Sequence, residues 1–187
     1  MVQHTCGMNN DFKTLLRIFV DLCLIKKGPQ DVPDSSVLLK AVFFIYFLSG
    51  TLLLSSSVAL SEAVAQSFIE TLLLGFFVYL LLTFFAVKNR FNQSVTAIYG
   101  SGALITTLSA PFVFLMGSMT NSEGSTGAVG LIVFLIVCWS FVVLANIIRE
   151  TIQKSLGICL LLTFCYLYLS YQVIQLIYPV EMALVGK

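Results

Sequence analysis

Charge is what this sequence has least of. Of its 187 residues only 10% are charged, far below the roughly 25% of a soluble domain. The net charge of +1 leaves no face able to carry a large basic patch, which argues against a nucleic-acid partner. Histidine is nearly absent. His4 is the single one, and although Cys6 lies close to it, two ligands without a third or fourth make no metal site. Five cysteines are present, Cys6, Cys23, Cys138, Cys159 and Cys165, none in CxxC spacing, so no redox or metal motif arises. No glycine-rich loop matches a phosphate cradle, and no His/Glu pair has metalloprotease spacing. With one His and no paired acids, general acid–base catalysis lacks its usual groups. The expectation is a non-enzyme with no catalytic residue, no cofactor and no metal. Proline is scarce too, at four residues. Pro29 and Pro33 fall in one linker, Pro179 ends the last apolar run, and Pro111 lies inside a run.

What the chain does have is apolar surface. Hydrophobic residues make up 58% and the mean hydropathy is +0.98. A soluble fold of this length, one domain, has nowhere to hide so much of it. The chain therefore reads as an all-α, polytopic membrane bundle. Its cytoplasmic N-terminal region covers 1–36, and MNNDFKTLL from Met8 reads as naturally as a start as Met1. Residues 11–25 read as an amphipathic helix, because Lys13, Arg17 and Asp21 recur four apart on one stripe. At about 15 residues it is too short to cross roughly 30 Å of hydrocarbon, so it lies on the membrane surface or packs against the bundle. Gly28, Pro29 and Pro33 end it. A five-helix transmembrane domain follows over 37–180, with spans at about 37–60, 64–87, 94–116, 128–148 and 156–178. Residues 117–127 read as a flexible loop, and 181–187 as an external tail.

Basic residues set the orientation. Lys13, Arg17, Lys26, Lys27, Lys40, Lys88, Arg90, Arg149 and Lys154 share one side, and only Lys187 falls on the other. By the positive-inside rule the N-terminus is cytoplasmic and the C-terminus outside. Lys13, Arg17, Lys26, Lys27, Lys88 and Arg90 are the expected contacts with the cytoplasmic membrane surface. Asn92-Gln93-Ser94 fits a glycosylation acceptor, yet faces the wrong side for it.

The third span differs from its neighbours. It carries Thr96, Ala97, Gly100, Ser101, Gly102, Ala103, Thr106, Thr107, Ser109 and Ala110 in place of dense Leu and Phe. Small residues four apart allow close backbone approach, so this span belongs inside the bundle, with Gly100, Gly102, Thr106 and Pro111 as packing positions. Pro111 removes a backbone donor, which neighbouring groups in a bundle can offset. Polar candidates are few. Glu70 is the one acidic residue within a span and is a functional candidate by default. The plainer alternative is that it reaches the interface or hydrogen-bonds Gln66, Gln172 or Gln175. Glu70, Gln172 and Gln175 form the candidate intramembrane cluster, near the Ser55–Ser56–Ser57 run and Tyr168 and Tyr171.

The order of parts resembles the Yip1 family of multi-pass proteins. The residues that carry the resemblance are the turn into span three, with Arg90, Phe91, Gln93, Tyr99 and Pro111, and the stretch from Trp139 to Gly157. The long N-terminal region of the eukaryotic trafficking members is absent, which points to a compact bacterial relative in the cytoplasmic (inner) membrane. The resemblance implies a non-enzymatic protein with no catalytic residues to carry over. The expected role is a scaffold, assembly or membrane-organising factor, whose partners are the lipid bilayer and other membrane proteins or further copies of itself. The alternative is a small transporter or channel component for a neutral solute or lipid.

Overall fold

The computed structural model describes the backbone of residues 4–119 and 126–178, and the side chains of 13–118 and 127–178. The expected tail at 181–187, the middle of the 117–127 loop, and the His4 and Cys6 side chains lie outside the described residues. Within them every regular element is helical. The elements are α1 (His4–Cys23), α2 (Ser36–Leu54), α3 (Leu60–Phe84), α4 (Phe91–Met119), α5 (Thr126–Ile152) and α6 (Leu156–Ile177). Short 3-10 turns at Pro29–Asp31 and Lys88–Arg90 precede α2 and α4. Five helices, α2 to α6, are long and apolar enough to cross a membrane. The protein is an all-α, multi-pass integral membrane protein in contact with lipid.

The helix ends follow local chemistry. Ser35 opens α2, its hydroxyl accepting from the Leu38 amide at 3.4 Å. The hydroxyls of Ser55 and Ser56 donate back to the Leu52 and Leu53 carbonyls at 2.7 and 2.8 Å, satisfying groups that α2 leaves open as it stops. The span therefore ends at Leu54, short of the expected 60, and the serine run lies in the turn. Conversely α3 begins at Leu60, one turn before the expected 64. At one end of the bundle, α1, α3 and α5 each finish with a left-handed residue, Ile25 (φ 57°), Ala86 (φ 57°) and Gln153 (φ 54°). The Lys26 amide reaches the Asp21 carbonyl at 2.9 Å and the Val87 amide the Leu82 carbonyl at 2.9 Å, closing α1 and α3 as Schellman motifs. A β-branched residue in this region is strained, and the backbone bonds from the Ile25 amide to Leu22 at 3.0 Å and from Lys26 to Asp21 hold the turn.

Helix α4 is the hub. It packs on α1, α2, α3 and α5, and carries the largest buried share of the five spans. All residues from Ser94 to Ser101 are buried. Tyr99 ties three helices together. Its hydroxyl donates to the Thr71 carbonyl of α3 at 2.7 Å, and its ring stacks on Tyr46 of α2 with centroids 5.2 Å apart and meets Phe43 edge-on at 5.7 Å. Gly75 makes room, since a Cβ there would lie 2.6 Å from the Tyr99 hydroxyl. A buried hydroxyl pair, Ser94 and Thr151 at 3.0 Å, joins α4 to α5. Because Thr151 gives its proton to the Ile147 carbonyl at 2.8 Å, Ser94 is the donor of the pair.

Helix α1 is seated against the bundle. Ile18, Phe19 and Leu22 are buried while Lys13 and Arg17 are exposed. The Phe19 ring fills the space over Gly100, where any Cβ would collide with it. Trp139 of α5 donates its indole N–H to the Cys23 carbonyl at 3.1 Å, and the Cys23 thiol points at the Ser101 carbonyl at 3.7 Å. Burial pushes that thiol up to about 11, as expected of a group held away from water. The linker then returns to the bundle's base, where Asn92 donates to the Asp34 carboxylate at 3.1 Å.

Candidate functional site

Helix α6 joins the bundle through α3 and α5 and does not pack closely on α4. The space left over is a cavity of about 1100 Å³, walled by all five spans. Its floor is set by Leu74, Ile98, Val143 and Tyr166, the last of which meets the Phe77 ring at 5.0 Å. Its mouth lies toward the start of α3 and the end of α6, where Glu62 and Tyr178 line it. This is the end away from the lysines and arginines of the described residues.

One polar stripe runs down the cavity wall. Glu62, Gln66 and Glu70 recur four apart on α3, so each lies about 6 Å below the last on one helical face. The Gln66 side-chain amide donates to Glu70 Oε1 at 3.3 Å. The pair Tyr99–Thr71 places Glu70 level with Ser101 and Gly102 of α4, near the cavity floor. Glu70 is ten residues into α3, about 15 Å along its axis. It is half-buried and makes no ion pair among the described residues.

The candidate cluster is divided by the structure. Glu70 and Gln175 both line the cavity, and Gln175 donates to the Tyr171 hydroxyl at 2.8 Å. Gln172 does not line it. It is exposed on α6 and donates to Tyr168 one turn away at 3.3 Å. Of the α4 packing positions, Gly100 faces Phe19, Gly102 faces Tyr46, and Thr106 lines the cavity with Ser109. Pro111 is exposed. The neighbouring hydroxyls are bound within α4: Thr107 donates to Ala103 at 2.7 Å and Ser109 to Thr106 at 2.8 Å. No pocket-lining set of His, Cys, Asp and Glu able to hold a metal occurs among the described residues.

The basic residues gather at the opposite end. Lys13, Arg17, Lys26, Lys88 and Arg90 are exposed, and Lys27 pairs with Asp21 at 3.4 Å. Lys88 sits 5.8 Å from the Tyr79 ring centroid and Lys154 5.9 Å from that of Phe85. Lysines beside aromatic rings at helix ends suit a headgroup region, where stems stay apolar and charges reach water.

One feature of the site has no signature in the sequence. The α4–α6 gap depends on how α6 leans on α3 and α5, which no periodicity encodes. The Gln66–Glu70 pairing, by contrast, is visible as an i, i+4 spacing. Fold and cavity together define the class: a five-span helical membrane protein with a polar-striped cavity inside its transmembrane part. Compared with family models, with curated proteins and with solved structures, the chain finds no match.

Proposed function

We propose that this protein is a non-enzymatic membrane component that takes a small solute into the cavity between its helices, as a binding element of transport. The observation that carries this reading is the cavity itself, about 1100 Å³, in which Glu70, Gln66 and Gln175 and the hydroxyls of Ser101, Thr106, Ser109 and Ser170 stand among Leu, Ile and Val side chains. Sites for small molecules have this composition, an apolar concavity with few placed polar groups. Its lining offers no His or Cys to serve as base or nucleophile. A scaffold role rests instead on helix faces. The exposed Leu131, Phe134, Leu135, Leu161 and Phe164 are the residues that acyl chains cover in any span, and they add no further support.

The basic end is cytoplasmic in this reading, and the cavity opens outward. Support comes from the lysine and arginine bias. A bacterial inner membrane and a relation to Yip1-like proteins rest on the order of parts: a helix, a proline linker and five spans. Cysteine labelling in intact cells tests cavity and orientation together. In a background without native cysteines, Glu62→Cys and Ser170→Cys are expected to react with a membrane-impermeant maleimide added outside. Lys154→Cys is expected to react only after permeabilisation, and the lipid-facing Leu161→Cys not at all. Outside labelling of Lys154→Cys would reverse the orientation. Labelling at Glu62→Cys without Ser170→Cys would show that the cavity admits nothing.

A further inference from the structure

We propose that the cavity selects an organic cation, an ammonium carried on an apolar body, with the Glu70 carboxylate as its counter-ion. The inference rests on the solute-binding reading above and names its ligand class. Glu62 stands at the mouth, Gln66 one turn below and Glu70 near the floor, a descent of about 12 Å along one face of α3. Lys, Arg and His are missing from the lining, so nothing in the wall balances the two acids. The Gln66 amide satisfies one oxygen of Glu70 at 3.3 Å. The other has no hydrogen-bond partner among the described residues. Glu70 thus offers a ligand an oxygen in the cavity wall with no cation beside it among the described residues, and a ligand ammonium supplies the opposite charge. Tyr46 and Tyr166 add aromatic rings to the lining, a side-chain type that attracts cations. Leu74, Ile98, Ile105 and Val143 offer the apolar body its surface. An anion would meet two acids and no base, so the same wall rejects it.

Three probes of one length separate charge from shape: 4-phenylbutylamine, 4-phenylbutanol and 4-phenylbutyrate. Binding to the purified full chain in a maltoside micelle is read by calorimetry. The amine is expected to bind at least about tenfold tighter than the alcohol, with the acid weakest. Glu70→Gln keeps the shape and the oxygen that Gln66 reaches. It is expected to weaken the amine about tenfold or more while leaving the alcohol within about twofold. Glu150→Gln, outside the lining and beside Arg149, is expected to change the amine by less than about threefold. The ammonium has two natural sources. Competition by phosphatidylethanolamine, but not phosphatidylglycerol, would support a lipid headgroup; competition by neither would support a free amine. Equal binding of amine and alcohol, unmoved by Glu70→Gln, would overturn the cation assignment and leave solute binding standing. If no probe binds and none protects Ser170→Cys from labelling, both readings fall.

Discussion

Gly102→Leu is expected to lower stability by about 3 kcal/mol, the upper end of the overpacking range, while Leu131→Phe stays within about 0.5 kcal/mol. The first Cβ is where the damage occurs. At Gly102 it would lie 2.7 Å from Tyr46 Cε2 and 3.2 Å from Cδ2. Its position is fixed by the α4 backbone, so no rotamer relieves it. Tyr46 cannot retreat toward Tyr99, on which its ring stacks with planes 29° apart, and turning it into the cavity would break that stack. Tyr99 is itself held by its bond to Thr71 and closed in by Gly75. The strain therefore passes from α4 to α2 and on to α3. Gaining a better helix former than glycine offsets at most about 1 kcal/mol of this. Leu131 is 62% exposed on α5, where lipid accommodates added volume. Thermal unfolding in detergent measures both. Equal shifts for the two variants would show that Tyr46 yields freely and that α4 is not tightly enclosed.

Much of this architecture is legible in the sequence because lipid imposes a simple rule. A span needs about 20 apolar residues, and five runs meet that length. The distinct composition of α4 is legible for the same reason: Gly, Ser, Thr and Ala gain little by facing acyl chains. The helix ends are less so. Leu52 to Leu54 and Val58 to Leu60 read as one apolar run, yet the serines between them bond back to α2 and break it. At the other extreme α5 continues to Ile152, past the expected 148. Ile147, Ile148 and Ile152 are buried while Arg149 is exposed, so the last turns are two-faced and a hydropathy window averages them away.

The site is legible only in part. Glu70 stands out as the lone acid in a span, and Gln66 follows from spacing. Gln172 and Gln175, three residues apart, share one broad helical face by spacing alone. Which of them turns inward depends on how α6 is rotated against α3 and α5, and the structure turns Gln175 in and leaves Gln172 out. The bond from Trp139 to Cys23 spans 116 positions, and no local pattern links them.

The seat of α1 yields the second large effect. Gly100→Leu is expected to eject Phe19, because even a methyl group at that position overlaps the ring. Phe19→Ala is expected to loosen α1 from the other side, by about 3 kcal/mol, the low end for a buried phenylalanine. Neither change touches the Tyr46–Tyr99–Thr71 connection, so the five spans are expected to stay folded. Hydrogen exchange separates the two levels. Amides of residues 16–23 are expected to exchange at least about tenfold faster in each single variant, with those of α4 and α5 nearly unchanged. The double variant is the sharper test. Leucine at 100 projects into the volume that Phe19→Ala vacates, so the two losses are expected to fall short of their sum by about 1–2 kcal/mol. Additive losses would mean that the two residues do not share one space. A collapse of α4 protection in Gly100→Leu alone would show α1 to be a structural sixth member of the bundle. Rescue in the double variant would place α1 as a separately docked helix. Its hold would then be one ring over one glycine, helped by the Trp139 indole on the last carbonyl of the helix.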